Sequence, residues 1–192
     1  DEGAVKELAR SSDWGYASCD PAEDDAVPTK LKNNKFVSLI YPVSDFLGTV
    51  PGYTEYDISG WFLLFFAIFF GMIFGDGGYG LLMAVVALFA ILKSLAGGKK
   101  PAPAICLLLL LGLTTMLWGM VTCTWFGIPA TTLPLWLQNL SLTGGPLPLS
   151  NVYGATSQEA KDLVSQNLQV WCFILALMQL SVAHLKGIVR NI

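Results

Sequence analysis

Between residues 58 and 95 the chain would be one apolar run but for the stretch Phe74-Gly75-Asp76-Gly77-Gly78-Tyr79-Gly80, which sets one carboxylate and four glycines in its middle. A run so interrupted predicts two membrane helices joined by a polar hairpin. An acidic side chain at membrane depth is costly to desolvate, so it faces a bundle interior or a water-filled cavity, and Asp76 is a candidate for function on that ground. The other reading is a helix cap near the outer surface, where a carboxylate accepts the free amides of a first turn. The sequence leaves both open.

Composition supports a bilayer-embedded chain. Of its residues 54% are hydrophobic and 13% charged, against roughly 25% charged in an ordinary soluble domain, and the mean hydropathy is +0.57. A net charge of -3 supplies no basic footprint for nucleic acid. Cys106, Cys123 and Cys172 lie in apolar runs and only Cys19 in polar sequence, so the cysteines read as small packing residues, not a disulfide framework. The chain begins at Asp1 with no signal-peptide pattern, which predicts a segment of a longer protein.

Residues 1–27 read as the end of a soluble, cytoplasmic domain followed by a linker. Residues 28–57 mix Phe36, Ile40, Tyr41, Phe46, Tyr53 and Tyr56 with Lys, Asp, Pro and Gly, a composition suited to the headgroup level. The expected fold is an all-α, multi-pass helical bundle over 58–192, with spans at 58–75, 79–95, 102–126 and 168–185. At 1.5 Å per residue the first, second and fourth cover about 26–27 Å and the third about 37 Å, against a hydrocarbon core of roughly 30 Å. The short first pair places the 75–80 turn near or just inside the far interface. Thr156 and Glu159 stand at capping-box spacing and predict that the last helix starts in water before its span.

Basic residues give an orientation. Lys30, Lys32, Lys35, Lys93, Lys99, Lys100, Lys186 and Arg190 all flank one side of these spans, and only Lys161 lies on the other. Positive charge collects on the cytoplasmic face, so the amino terminus and the loop before residue 102 are expected there.

Gly75-x-Gly77-x-x-Gly80 matches the dinucleotide-loop pattern, but that loop needs a preceding strand, and here it joins two membrane helices. Gly71 and Gly75, and Gly119, Cys123 and Gly127, place small residues four apart and predict close helix packing. No phosphate-binding loop or carboxylate pair with a nearby histidine occurs, and His184 is the sole histidine. A metal cluster, haem or catalytic site is therefore not expected, and no cofactor is assigned. His184, near the cytoplasmic end of the fourth span, either caps carbonyls and headgroups or relays protons. The expected site set is Asp76, Gly75, Gly77, Gly78, Gly80 and His184, as an ion pathway or a structural polar hairpin.

The segment 28–37 (PTKLKNNKFV), followed by Phe69-Phe70-Gly71-Met72-Ile73-Phe74-Gly75-Asp76-Gly77-Gly78-Tyr79-Gly80, resembles the membrane stator subunit of vacuolar and archaeal-type rotary ATPases, called subunit I in bacteria and subunit a in eukaryotes. The family pattern is FGMMFGDAGYG; this chain differs at Ile73 and Gly77. Trp118-Gly119, Trp125-Phe126-Gly127 and Ala183-His184-Leu185 are similar to the ends of the family's third and fourth helices, and the likeness covers residues 14–192. The resemblance implies a non-catalytic subunit supporting proton or sodium translocation. Its implied partners are a proteolipid rotor ring, peripheral stalks, a catalytic head and the lipid bilayer. In that family ion passage depends on arginine in later helices, and no span here contains one. Two other readings remain from the residues: half of an unrelated small cation transporter or channel, and a membrane anchor or assembly subunit.

Overall fold

Leu63, Ala67 and Gly71 recur every fourth residue, as do Leu107, Leu111 and Thr115, so each set forms a stripe along one helix face. In the computed structural model these two stripes meet. It describes residues 2–20, 22, 29–52, 55–143 and 158–191, with side chains over 162–188 of the last stretch. Seven α-helices occur among the described residues: α1 (Glu2–Ser11), α2 (Tyr41–Leu47), α3 (Ser59–Phe74), α4 (Gly77–Ala96), α5 (Pro103–Thr122), α6 (Leu135–Leu140) and α7 (Gln158–Asn191). No strand is found among those residues, and the fold is all-helical.

Helix α5 lies between α3 and α4, which scarcely touch each other. Its register is fixed by glycines. A Cβ at Gly71 would sit 2.9 Å from the Thr114 carbonyl oxygen, and one at Gly112 would sit 2.6 Å from the Ala84 amide. Further along, Gly119 lies against the Gly77 backbone, and Gly80 against Met116 and Thr115. Position increases together along α3 and α5 and oppositely along α4 and α5, so α3 and α5 run parallel and α4 antiparallel. Backbones this close gain dispersion contacts that no larger side chain would permit.

One end of the bundle is closed by the 3-10 turn Val37–Ile40, whose Ile40 is fully buried against Leu63, Ala67, Leu107 and Leu111. Tyr41 and Asp57 hold this segment from either side of Asn33. The Tyr41 hydroxyl accepts the Asn33 amide at 3.1 Å, and the Asn33 side chain donates to the Asp57 carboxylate, which also accepts the Ser59 amide at 2.9 Å.

Among the described residues three helices are long and apolar enough to cross a membrane: α4, α5 and the 162–188 part of α7. Helix α3, equally apolar, has 16 residues, about 24 Å. It starts where Asp57 receives the Ser59 amide and stops where Gly75 turns left-handed at φ 66°. Helix α5 ends at Thr122, four residues short of the apolar run's far limit, because Cys123 takes φ 57° and the chain reverses. Helix α7 begins by Gln158, ahead of its apolar span; Thr156 lies outside the described residues, as does the Glu159 side chain. No residue is buried along its most apolar window. Asn167 ties it to the rest by donating to the Thr143 carbonyl at 2.9 Å, and Lys186 lies over the rings of Tyr56 and Trp61.

Candidate functional site

Asp76 is the hinge between α3 and α4. Gly75 closes α3 by donating its amide to the Gly71 carbonyl at 2.9 Å, in a left-handed conformation that glycine adopts without steric cost. The next residue, Asp76, is extended at φ -116°, ψ 119° and caps α4. Its Oδ1 accepts the Gly78 amide at 2.8 Å and the Tyr79 amide at 3.2 Å, while its carbonyl accepts the Gly80 amide at 3.0 Å. Three amides of the first turn are thus satisfied, and the carboxylate's charge sits at the positive end of the helix dipole.

The other carboxylate oxygen reaches a second turn. After α5, residues Trp125 to Ile128 form a tight hairpin with Phe126 at φ 49° and Gly127 at φ 69°, closed by the Ile128 amide on the Trp125 carbonyl at 2.8 Å. Positive φ at both central positions defines a type I′ turn. That geometry turns the Gly127 amide toward Asp76 Oδ2, at 3.3 Å. Thr124 joins the turns again: its carbonyl accepts the Gly77 amide at 2.9 Å and its hydroxyl donates to the Gly75 carbonyl at 2.5 Å. A phenylalanine held at positive φ costs about 1–2 kcal/mol, and contacts of its ring offset that strain. The Phe126 ring covers Gly78 and meets Tyr79 edge-on, with centroids 5.4 Å apart at 72°.

Each glycine of the expected set answers a different neighbour. Gly75 supplies the left-handed φ; a Cβ on Gly77 would meet the Trp125 ring at 2.9 Å; one on Gly78 would enter the Phe126 ring; one on Gly80 would enter the α5 backbone. The pattern is explained by side chains and backbone pressed against it, with no phosphate cradle needed. Burial pushes the Asp76 carboxyl up, but amides of Phe126, Tyr79, Gly78 and Gly127 outweigh it and hold the group below the ordinary 3.8. The dipoles of these backbone amides favour the carboxylate form.

His184 is not part of this cluster. It is exposed on α7, with Nδ1 donating to the Leu180 carbonyl at 2.7 Å. Two residues on, Lys186 lies over Trp61 in the first turn of α3, whereas Asp76 follows that helix's last turn. The two are therefore separated by most of α3, about 20 Å. Among the described residues no group of three His, Cys, Asp or Glu side chains could hold a metal ion.

Thr124 and Gly112 carry the clamp without standing out in the sequence, and Trp125-Phe126, which resembles the end of a helix, belongs instead to the turn that completes it. Gly119, Cys123 and Gly127 are spaced like one helix face, yet only Gly119 is helical; Cys123 and Gly127 are turn residues at positive φ. The signal that could have found the interface is the match of Gly77, Gly80 and Ala84 on α4 to Gly112 and Gly119 on α5.

The arrangement defines an all-helical protein with apolar, membrane-length helices, stapled at one end by an aspartate between two turns. Comparison with known proteins makes the class specific. The chain is 42% identical over 188 residues to V-type ATP synthase subunit I 1 of Treponema pallidum, covering 98% of this chain and 29% of that protein. It is 34% identical over 180 residues to V-type ATP synthase subunit I of Borreliella burgdorferi, covering 93% of this chain and 28% of that one. A 67-residue stretch is 42% identical to A-type ATP synthase subunit I of Archaeoglobus fulgidus, 35% of this chain and 10% of the relative. No protein-family model and no solved structure matches. The chain belongs to the subunit I family of V- and A-type ATP synthases. It spans about three tenths of the length of these two relatives.

Proposed function

We propose that the chain is the amino-terminal half of the membrane domain of a subunit I, a non-catalytic membrane subunit supporting proton or sodium translocation by a rotary ATPase. In this reading residues 1–27 end a cytoplasmic arm, 28–57 approach the membrane at its surface, and 58–192 hold four spans. The 42% identity across nearly the whole chain carries the assignment. Its partners are the proteolipid ring, peripheral stalk and catalytic head.

The described geometry favours a scaffold role within that subunit. Both oxygens of Asp76 accept backbone amides, so its carboxylate is already engaged in joining two turns. The deep parts of the spans carry no Lys or Arg to oppose a rotor carboxylate. Parallel α3 and α5 with antiparallel α4 bring Lys30, Lys32 and Lys35 to the same end as Lys93, Lys99 and Lys100, which supports a cytoplasmic amino terminus. Helix α3, at 16 residues, crosses with the Asp76 turn at or just inside the far interface, a mismatch that local thinning of the bilayer accommodates. His184 serves as a carbonyl-capping side chain near the cytoplasmic surface.

The test is affinity purification of the tagged chain, in its full-length natural context, from gently solubilised membranes. Recovery of a nucleotide-hydrolysing head and a proteolipid supports the assignment; recovery of neither, with the chain intact, contradicts it.

A further inference from the structure

Along α3 the rings of Trp61, Phe65 and Phe69 stack in sequence, with centroids 6.5 and 6.4 Å apart and planes within 28° of parallel. The ladder rises about 12 Å and faces α7 across a cleft of about 890 Å³. Ala183 and Gly187 of α7 leave that cleft wide on its far wall. At its mouth the Lys186 ammonium sits 4.9 Å from the Tyr56 ring centroid and 5.8 Å from that of Trp61. Glu55 also borders the mouth, where its carboxylate accepts the Gly52 amide at 2.9 Å.

A mostly apolar slot running along the membrane's depth, with Gln179 on its α7 wall and a cation and aromatic rings where basic side chains collect, has the shape and polarity of one lipid molecule. We propose that the cleft between α3 and α7 holds an anionic phospholipid, its acyl chain along Trp61, Phe65 and Phe69 and its phosphate at Lys186. Ring faces take one side of the ammonium, and its remaining N–H donors are available to a phosphate. Charge complementarity selects the lipid: Lys186 lies at the end of the bundle where the basic flanks gather, so an anionic headgroup is favoured over a zwitterionic one. The inference rests on the membrane reading given above.

The test uses brominated lipids, which quench an indole they touch. The chain is reconstituted in phosphatidylcholine vesicles doped with phosphatidylglycerol, with bromine on one lipid or the other. The Trp61 signal is the difference between the unmodified chain and Trp61→Phe, the other five of six tryptophans serving as reference. Phosphatidylglycerol is expected to quench Trp61 about fivefold more effectively than phosphatidylcholine at equal mole fraction, the preference one basic side chain at an anionic surface provides. Lys186→Gln should bring the ratio to one, and Lys186→Arg should keep it. A ratio of one in the unmodified chain overturns the proposal. So does a Trp61 signal that neither lipid reaches while the other tryptophans are quenched, since protein then covers the cleft. Failure of either lipid to quench any tryptophan contradicts the membrane reading itself.

Discussion

Asp76 and Gly127 stand 51 positions apart, and the Gly127 amide donates to Asp76 Oδ2 at 3.3 Å, so one carboxylate caps α4 and ties down the hairpin that follows α5. Removing it should be felt at both places. Asp76→Ala loses an N-cap, which costs about 1 kcal/mol, and frees the Gly127 amide as well. Thermal unfolding in micelles should show the larger loss for Asp76→Ala and a smaller one for Asp76→Asn, which keeps an oxygen for the cap but can place an NH2 against Gly127.

The same carboxylate gives stability a pH dependence of known sign. Its folded pKa lies below the ordinary 3.8, because backbone amides outweigh the effect of burial. Its contribution is therefore complete above the unfolded value and is lost as pH falls through the folded value. Denaturation midpoints of the unmodified chain should decline below about pH 4, and Asp76→Asn should flatten that part of the curve. An unchanged acid limb in Asp76→Asn would contradict the assignment.

Gly80 and Gly60 separate packing from helix propensity. A Cβ at Gly80 would enter the Met116 and Thr115 backbone, whereas one at Gly60 would meet only Val37 Cγ2 at 3.9 Å. Gly80→Ala should destabilise by about 1–3 kcal/mol, the range for overpacking. Gly60→Ala should be neutral or slightly stabilising, by up to about 1 kcal/mol. Equal effects at the two sites would argue against the close approach of α4 to α5.

The Thr124 hydroxyl donates to the Gly75 carbonyl. Thr124→Val keeps the shape and removes the bond, at about 1 kcal/mol. Because Thr124 and Asp76 join the same two turns, the double variant Thr124→Val with Asp76→Asn should depart from additivity by about 0.5 kcal/mol or more.

These relationships divide cleanly by range. The apolar runs and the small-residue stripes are local patterns, so an all-α fold was legible from periodicity and composition. The glycine-aspartate cluster at 75–80 likewise marked a break between helices. What could not be read locally is why each glycine is there: the Trp125 ring over Gly77 and the Phe126 ring over Gly78 come from a turn about fifty residues away. The early end of α5 was hidden for a related reason. Cys123 has no intrinsic preference for φ 57° and adopts it because Thr124 must reach Gly75 and Gly77. Separation of His184 from Asp76, by contrast, was legible, because span lengths put the 75–80 turn near the far interface and His184 near the opposite end of the last span.

Orientation is tested by accessibility. With native cysteines replaced, Gly98→Cys should react with an impermeant thiol reagent only from the cytoplasmic side, and Thr132→Cys, in the segment after α5, only from the opposite side. The reverse pattern would invert the proposed topology.

The central claim is that Asp76 holds the scaffold and does not carry the ion, and the direct measurement is ions moved per ATP hydrolysed in the assembled complex bearing Asp76→Asn. The account predicts a reduced yield of intact complex, with an unchanged ion-to-ATP ratio in whatever assembles. A normal yield accompanied by a collapsed ratio would contradict it and place Asp76 in the ion path.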